Sequence, residues 1–269
     1  MDAFAALKLQ LEWGADEALA ETPVDRLGGT RVIAPPRRAA ASAAPPARAS
    51  MGPAASPGFA PVGPAARAAD IAAAAGTFEE LRAALAAFEG CALAATATSL
   101  VFADGNPDAG LMFVGEAPGA EEDRAGRPFV GPSGKLLDRM LASIGLDRNG
   151  FLITNLIPWR PPGNRNPTEG EVLLCLPFLL RHIALARPRH LVLLGSLATK
   201  ALTGSNAGIR RMRGKWLEIK VPGLPEPLPA LPMFHPAYLL RTAGAKRETW
   251  ADLLALKRRL DGDSHGDVR

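Results

Sequence analysis

Cysteine is nearly missing, with only Cys91 and Cys175 in 269 residues. A disulfide-stapled scaffold is thereby excluded, because such folds are dense in cysteine. No apolar run approaches the roughly 20 residues that a membrane-spanning helix requires. The amino terminus carries Asp2 and Glu12 in an amphipathic pattern, with no hydrophobic stretch bounded by a cleavage site, so no signal peptide is expected and the cytoplasm is the expected compartment. No internal repeat occurs, which excludes solenoid and propeller architectures. Charge of one sign is also scarce: a net charge of +4 is compatible with a polyanionic partner without requiring one.

Large apolar residues are scarce in one long segment as well. Residues 31–75 are mainly Ala, Pro, Gly, Ser and Arg, a composition that buries too little surface to offset ordering entropy. The expectation is a disordered linker there, preceded by a short helical module over 1–30 in which Phe4, Leu7, Leu11 and Trp13 share a face. The folded domain is expected over 76–262, followed by a disordered tail over 263–269. Thr77 with Glu80 and Thr168 with Glu171 have capping-box spacing, and Leu81, Leu85 and Phe88 supply a buried stripe behind the first box. Apolar runs then predict strands over 111–114, 151–154, 191–194 and 231–234. Helices are expected over 134–144, 168–185, 196–203 and 246–260. Alternation of this kind implies an α/β domain, a mostly parallel sheet with helices on both faces.

Ligands of open α/β sheets bind at the carboxyl ends of the strands, and each predicted strand here runs into polar or conformationally special residues. The first is followed by GEAPGAEEDRAGRPFVG (115–131), where Gly115, Gly119 and Pro118 shape a tight turn and Glu116, Glu121, Glu122 and Asp123 crowd one loop. Asn155 and a Pro/Trp/Arg/Gly/Asn loop to Arg165 follow the second. Gly195-Ser196 opens a helix after the third, where amides are available to a phosphate. His235-Pro236-Ala237-Tyr238-Leu239-Leu240-Arg241 follows the fourth. Together these residue types suit a planar polar ring. Phe129 can stack on it, the Asn155 amide offers a donor and an acceptor to a nucleobase edge, and His235 can donate to an oxygen that becomes negative as a bond breaks. Glu116 or Glu122 can orient water or stabilise a developing cation. That set matches hydrolysis of an N-glycosidic bond without any metal. His182 and His190, at helix or strand boundaries, read as structural.

Three stretches in order, GEAPGAEEDRAGRPFVGPSGKLLDRML, ITNLIPWRPPGNRNPT and HPAYLLR, resemble the motifs of the family 4 (thermostable-type) uracil-DNA glycosylases. The resemblance runs from about Phe88 to Leu260. It implies a three-layer α/β/α, Rossmann-like domain with a central four-stranded parallel sheet, and removal of uracil from DNA to leave an abasic site. It places Gly115, Glu116, Ala117 and Asn164 at the pocket and makes Glu122 the candidate for positioning the attacking water. Phe129 is implied to stack on the flipped uracil, Asn155 to read its pairing edge and His235 to stabilise the uracil anion. Leu239 or Leu240, with Arg241, is implied to fill the gap left in the duplex. An extruded base costs a few kcal/mol of unstacking, which an apolar wedge and phosphate contacts offset. The basic run from Arg210 to Lys215, Arg213 included, is a candidate grip on the DNA backbone, as is Ser196 at its helix start.

One family feature is absent. Members usually hold a [4Fe–4S] cluster on four cysteines, whereas this chain has Phe88 and Trp159 at two of the ligand positions and retains Cys91 and Cys175. The expectation is no cluster, aromatic rings filling the space, and two buried neutral thiols. The pocket motifs contain no evident lysine nucleophile, so a monofunctional enzyme of base excision repair, acting as a monomer, is expected. The competing readings are a glycosylase for another deaminated base, hypoxanthine or xanthine, and a non-catalytic DNA-binding or polymerase-associated protein whose residues 1–30 recruit a partner.

Overall fold

Residues 63–266 are described by the computed structural model. They open with helix α1 (Pro64–Ala74), in the last part of the expected linker. Pro64 sits at the helix start, where its missing N–H costs nothing, and alanine has the highest helix propensity. Ala68 and Ala72, one turn apart, are buried, and Arg181 Nε donates to the Ala75 carbonyl at 2.6 Å. The domain therefore begins before residue 76; the expected module over 1–30 and the linker up to residue 62 lie outside the described residues.

Helix α2 (Phe78–Ala86) starts at Thr77, whose side chain accepts from Glu80 N; the Glu80 carboxylate reaches past Thr77 to Gly76 N. A short α3 (Ala92–Thr96) leads to β1 (Asp104–Gly105) and β2 (Leu111–Gly115). Then come α4 (Ala120–Ala125), α5 (Pro132–Ala142) and β3 (Leu152–Asn155). The long α6 (Glu169–Ala186) begins at the full Thr168–Glu171 capping box. It is followed by β4 (His190–Leu194), α7 (Ser196–Thr203), α8 (Ile209–Met212) and β5 (Leu217–Ile219). The chain closes with β6 (Leu228–Met233), α9 (Pro236–Arg241) and α10 (Ala245–Gly266).

The six strands form one sheet in the order β1-β3-β2-β4-β6-β5. Its inner four are parallel, as expected, and β1 and β5 add short antiparallel edges that the apolar pattern did not signal. Side-chain alternation along the strands gives each face its own core. Met112, Val114, Leu191 and Leu193 pack with α1, α2, α6 and α7, while Leu111, Phe113, Val192 and Leu194 pack with Leu137 and Leu141 of α5 and Leu253 and Leu256 of α10. This is the three-layer α/β/α arrangement. The last helix runs beyond the expected boundary at 262, and Asp263 reaches His190 Nε2 on β4 at 3.2 Å, so this end belongs to the domain. No helix of the described residues is long and apolar enough to cross a membrane.

Candidate active site

The chain passes from β2 to β3 on one side of the sheet and then to β4 on the other, so a crevice opens at the carboxyl ends where the direction of winding changes. A cavity of about 530 Å³ occupies that rim. Its lining brings together Glu116, Ala117, Glu122, Phe129, Asn155, Asn164, His235 and Arg241, eight of the residues singled out in the sequence. Gly115 lies directly beneath, where a Cβ would overlap both the Asn155 carbonyl oxygen and the Phe129 ring. A glycine is thus what allows amide and ring to converge.

Asn155 ends β3 and is buried, yet its Oδ1 has no hydrogen-bond partner among the described residues. A buried acceptor left unpaired costs about 1–3 kcal/mol, and this one lies beside the cavity that Asn155 lines. Phe129 has φ of 55°, a left-handed conformation that a bulky residue adopts only when its surroundings impose it. Its ring lies 5.7 Å from the His235 ring, inclined by 33°.

His235 caps α9: its Nδ1 accepts from Ala237 N at 3.1 Å. That bond places the imidazole proton on Nε2. Burial, aided by the Arg241 charge and opposed by Glu122, pushes its pKa down to about 4, so the ring is neutral near pH 7. A neutral imidazole with Nε2–H free is a hydrogen-bond donor that adds no charge to the cavity. Gly195, with φ of 95°, lets the start of α7 approach; a Cβ there would stand 3.1 Å from His235 Cβ.

The four acids of the first loop separate cleanly. Asp123 is buried and accepts from Thr98 N and Ser99 N, and Glu121 stands 4.0 Å from Lys135. Glu122 accepts from Gly131 N at 2.8 Å and from Gly119 N at 3.1 Å, which ties both ends of the loop together. Each of its oxygens accepts one backbone N–H, so Glu122 clamps the loop while it lines the cavity. Of the four, only the Glu116 side chain has no hydrogen bond or ion pair among the described residues, and burial raises its pKa.

Several expected DNA contacts move. Leu239 is fully buried with Leu136, Phe234 and Ala245, because α9 starts at Pro236 and its register turns Leu239 inward; Leu240, 47% exposed, is the residue that projects. Arg213 is taken up by Glu248 and Asp252 and lies over the Phe234 ring, so it braces α10 and the loop before α9 rather than facing solvent. Ser196 is exposed but outside the cavity lining. At the rim, Asn164 accepts from Arg160 Nε at 2.7 Å. Tyr238, quoted in the sequence only as part of its motif, lines the cavity and accepts from Arg210 Nη2 at 2.6 Å. Buried His182 packs between Phe78 and Phe102, and its Nε2 has no hydrogen-bond partner among the described residues.

The remaining cluster-ligand positions lie away from this cavity. Phe88, Cys91, Trp159 and Cys175 are all buried in one apolar core, and the Phe88 ring packs 5.1 Å from Phe178. A hydrogen bond from the Cys175 thiol draws Cys91 down to about 7, and the same bond together with burial pushes Cys175 up. No group of three His, Cys, Asp or Glu side chains suited to a metal occurs among the described residues. Two thiols and two aromatic side chains at these positions do not fit a cluster that needs four thiolates.

Comparison with known proteins gives a consistent result. Residues 102–254 match the uracil DNA glycosylase superfamily. The chain is 40% identical over 166 residues to the type-4 uracil-DNA glycosylase of Archaeoglobus fulgidus, covering 60% of this chain and 82% of that one. It is 41% identical over 155 residues to the Thermotoga maritima protein of the same name, covering 56% and 77%. A third, from Pyrobaculum aerophilum, is 40% identical over 154 residues, covering 56% and 78%.

Proposed function

The chain belongs to the uracil-DNA glycosylase superfamily, a family of hydrolytic DNA glycosylases, and we propose that it removes uracil from DNA, leaving an abasic site and an intact strand. The observation that carries this reading is the unpaired Asn155 Oδ1, buried beside the Phe129 ring and the neutral His235 in one cavity.

A uracil extruded from the stack lies on Phe129. Asn155 Oδ1 accepts its N3–H while Nδ2 donates to O4. Cytosine reverses both groups, with an acceptor at N3 and a donor at C4, and leaves the amide mismatched. As the C1′–N1 bond breaks, its electron pair stays with the base and negative charge collects at O2, where His235 Nε2–H donates. The sugar becomes positively charged; Glu116, ionised, stabilises it, takes a proton from the attacking water and delivers the hydroxyl oxygen to C1′. Its raised pKa makes it the stronger base. Glu122 holds the loop, Leu240 enters the vacated stack and Arg241 meets the neighbouring phosphate. The chemistry needs only these side chains, and the protein is proposed to carry no iron–sulfur cluster. Iron analysis of anaerobically purified protein should find none, whereas four irons per chain would overturn that part.

A labelled oligonucleotide with a single uracil tests the activity. The expected outcome is strand scission at the uracil only after alkali, with free uracil released. An intact strand after alkali at stoichiometric enzyme contradicts the proposal, and release of hypoxanthine in place of uracil reassigns the base.

A further inference from the structure

Outside the cavity, on the turn just before β3, sits an arginine whose hydrogen-bonding capacity is fully used. Arg148 Nε donates to Asp138 Oδ1 at 2.8 Å, and Nη2 donates to Asp138 Oδ2 at 3.2 Å. Nη1 donates to Asp104 Oδ2 at 3.1 Å and to the Pro128 carbonyl at 3.4 Å. The remaining Nη2 proton goes to the carbonyl of Phe129 at 2.6 Å, the shortest of the set. All five guanidinium N–H groups are thereby taken, by α5, by β1 and by two consecutive carbonyls of the loop that presents the aromatic ring.

This carbonyl belongs to the residue with φ of 55°. A left-handed phenylalanine costs about 1–3 kcal/mol and persists only where its surroundings over-determine it. Two contacts do so. Gly134, in the first turn of α5, packs so closely that a Cβ there would overlap the Phe129 carbonyl. Arg148 holds the same carbonyl from the other side through a charge-assisted bond, while the paired Asp138 fixes the guanidinium plane. Neither residue touches the cavity.

We propose that Arg148 is a positioning residue for base binding: it locks the Phe129 peptide in the left-handed conformation that aims the ring into the cavity, with Asp138 and Gly134 as its supports. The inference rests on the reading of Phe129 as the surface on which uracil stacks. Without Arg148 the peptide relaxes toward negative φ and the ring leaves the position it shares with His235. The cores lose one contact, the Arg148 guanidinium 5.8 Å from the Phe151 ring, and keep their apolar packing.

The test compares R148M, R148K and D138N with the wild-type protein at a temperature well below each Tm. Free uracil, which binds the base pocket without any DNA, serves as the probe. For R148M the inhibition constant of uracil is expected to rise about tenfold, the loss of one charge-assisted hydrogen bond, with KM for uracil-containing DNA rising alongside. Affinity for duplex with an abasic site is expected to stay unchanged. R148K, which can still reach the carbonyl but not form the fork, should recover part of the loss, and D138N should fall between. A structure of R148M should show Phe129 at negative φ. If R148M does not fold, R148K and D138N carry the same comparison. Wild-type uracil inhibition in folded R148M overturns the inference. So does weakening that tracks abasic-duplex affinity and Tm in all variants, or a variant structure in which Phe129 keeps its left-handed φ. Failure of the wild-type protein to release uracil sinks the functional reading instead, and the Phe129 conformation in the variant still decides the role of Arg148.

Discussion

At the scale of single residues, the site depends on which polar groups the fold leaves unpaired. Among the described residues Asn155 carries a buried acceptor without a donor and Glu116 a carboxyl without a partner, while the neighbouring Glu122 and Asp123 each accept two backbone amides. Sequence spacing grouped these acids in one loop but contains nothing that separates the free carboxyl from the clamp. Only the approach of Gly119 and Gly131 amides does that. Two predictions belong here. Asn155→Asp replaces an acceptor–donor pair by acceptors alone, and uracil excision should fall by about a hundredfold at neutral pH; unchanged kcat/KM would refute the assignment. His235→Ala removes the donor that faces the departing anion, worth about 10²–10³ in kcat. Because burial and Arg241 hold His235 down to about 4, the acid limb of kcat should owe nothing to imidazole protonation near 6.5. An NMR titration showing His235 protonated at about pH 6 would refute the neutral-donor role.

The elements explain what was legible and what was not. The inner strands stand within a few residues of their expected spans, since β2, β3 and β4, buried on both faces, carry runs of large hydrophobics, while β6, interrupted by Pro229 and Pro232, is signalled only over its second half. The edges β1 and β5 are two and three residues long, too short for any periodicity. Helix α1 escaped because alanine and proline read as a linker until α6 supplies a surface for Ala68 and Ala72 to pack on. Arg213 was misassigned because its partners, Glu248 and Asp252, are 35 and 39 residues further on. The sequence does not distinguish the two leucines of α9, whereas helix register buries Leu239 and exposes Leu240. Leu239→Ala should therefore lower stability by about 2–5 kcal/mol, as for other buried leucines. Leu240→Ala should leave Tm within a degree or so while reducing excision from duplex relative to single-stranded DNA. Equal Tm values for the two variants, or a duplex defect in neither, would contradict the register argument.

At the scale of the described domain, the cores on either side of the sheet place the cavity at its carboxyl edge and hold Phe88, Cys91, Trp159 and Cys175 in packed apolar interior. That interior also sets the acid sensitivity. Burial lowers His182 to about 3 and His235 to about 4, from 6.5 in an exposed imidazole. Below 6.5 these two histidines bind protons in the unfolded chain that they refuse in the folded one, so their contribution to stability is lost as pH drops from 6.5 toward 4. Asp252, raised by burial to about 6, works in the opposite sense over the same window, so the comparison between variants is what isolates the histidine: urea midpoints should decline less on acidification in His182→Phe than in the wild-type protein, and an equal pH dependence in the two would contradict it.

The central claim is that ring, amide and imidazole hold one pyrimidine in a single cavity. A crystal structure of the protein with free uracil tests it most directly. Uracil is expected to stack on Phe129, with its N3–H on Asn155 Oδ1 and its O2 on His235 Nε2. Uracil bound elsewhere, or lying in the cavity with Asn155 Oδ1 still unpaired, would contradict it.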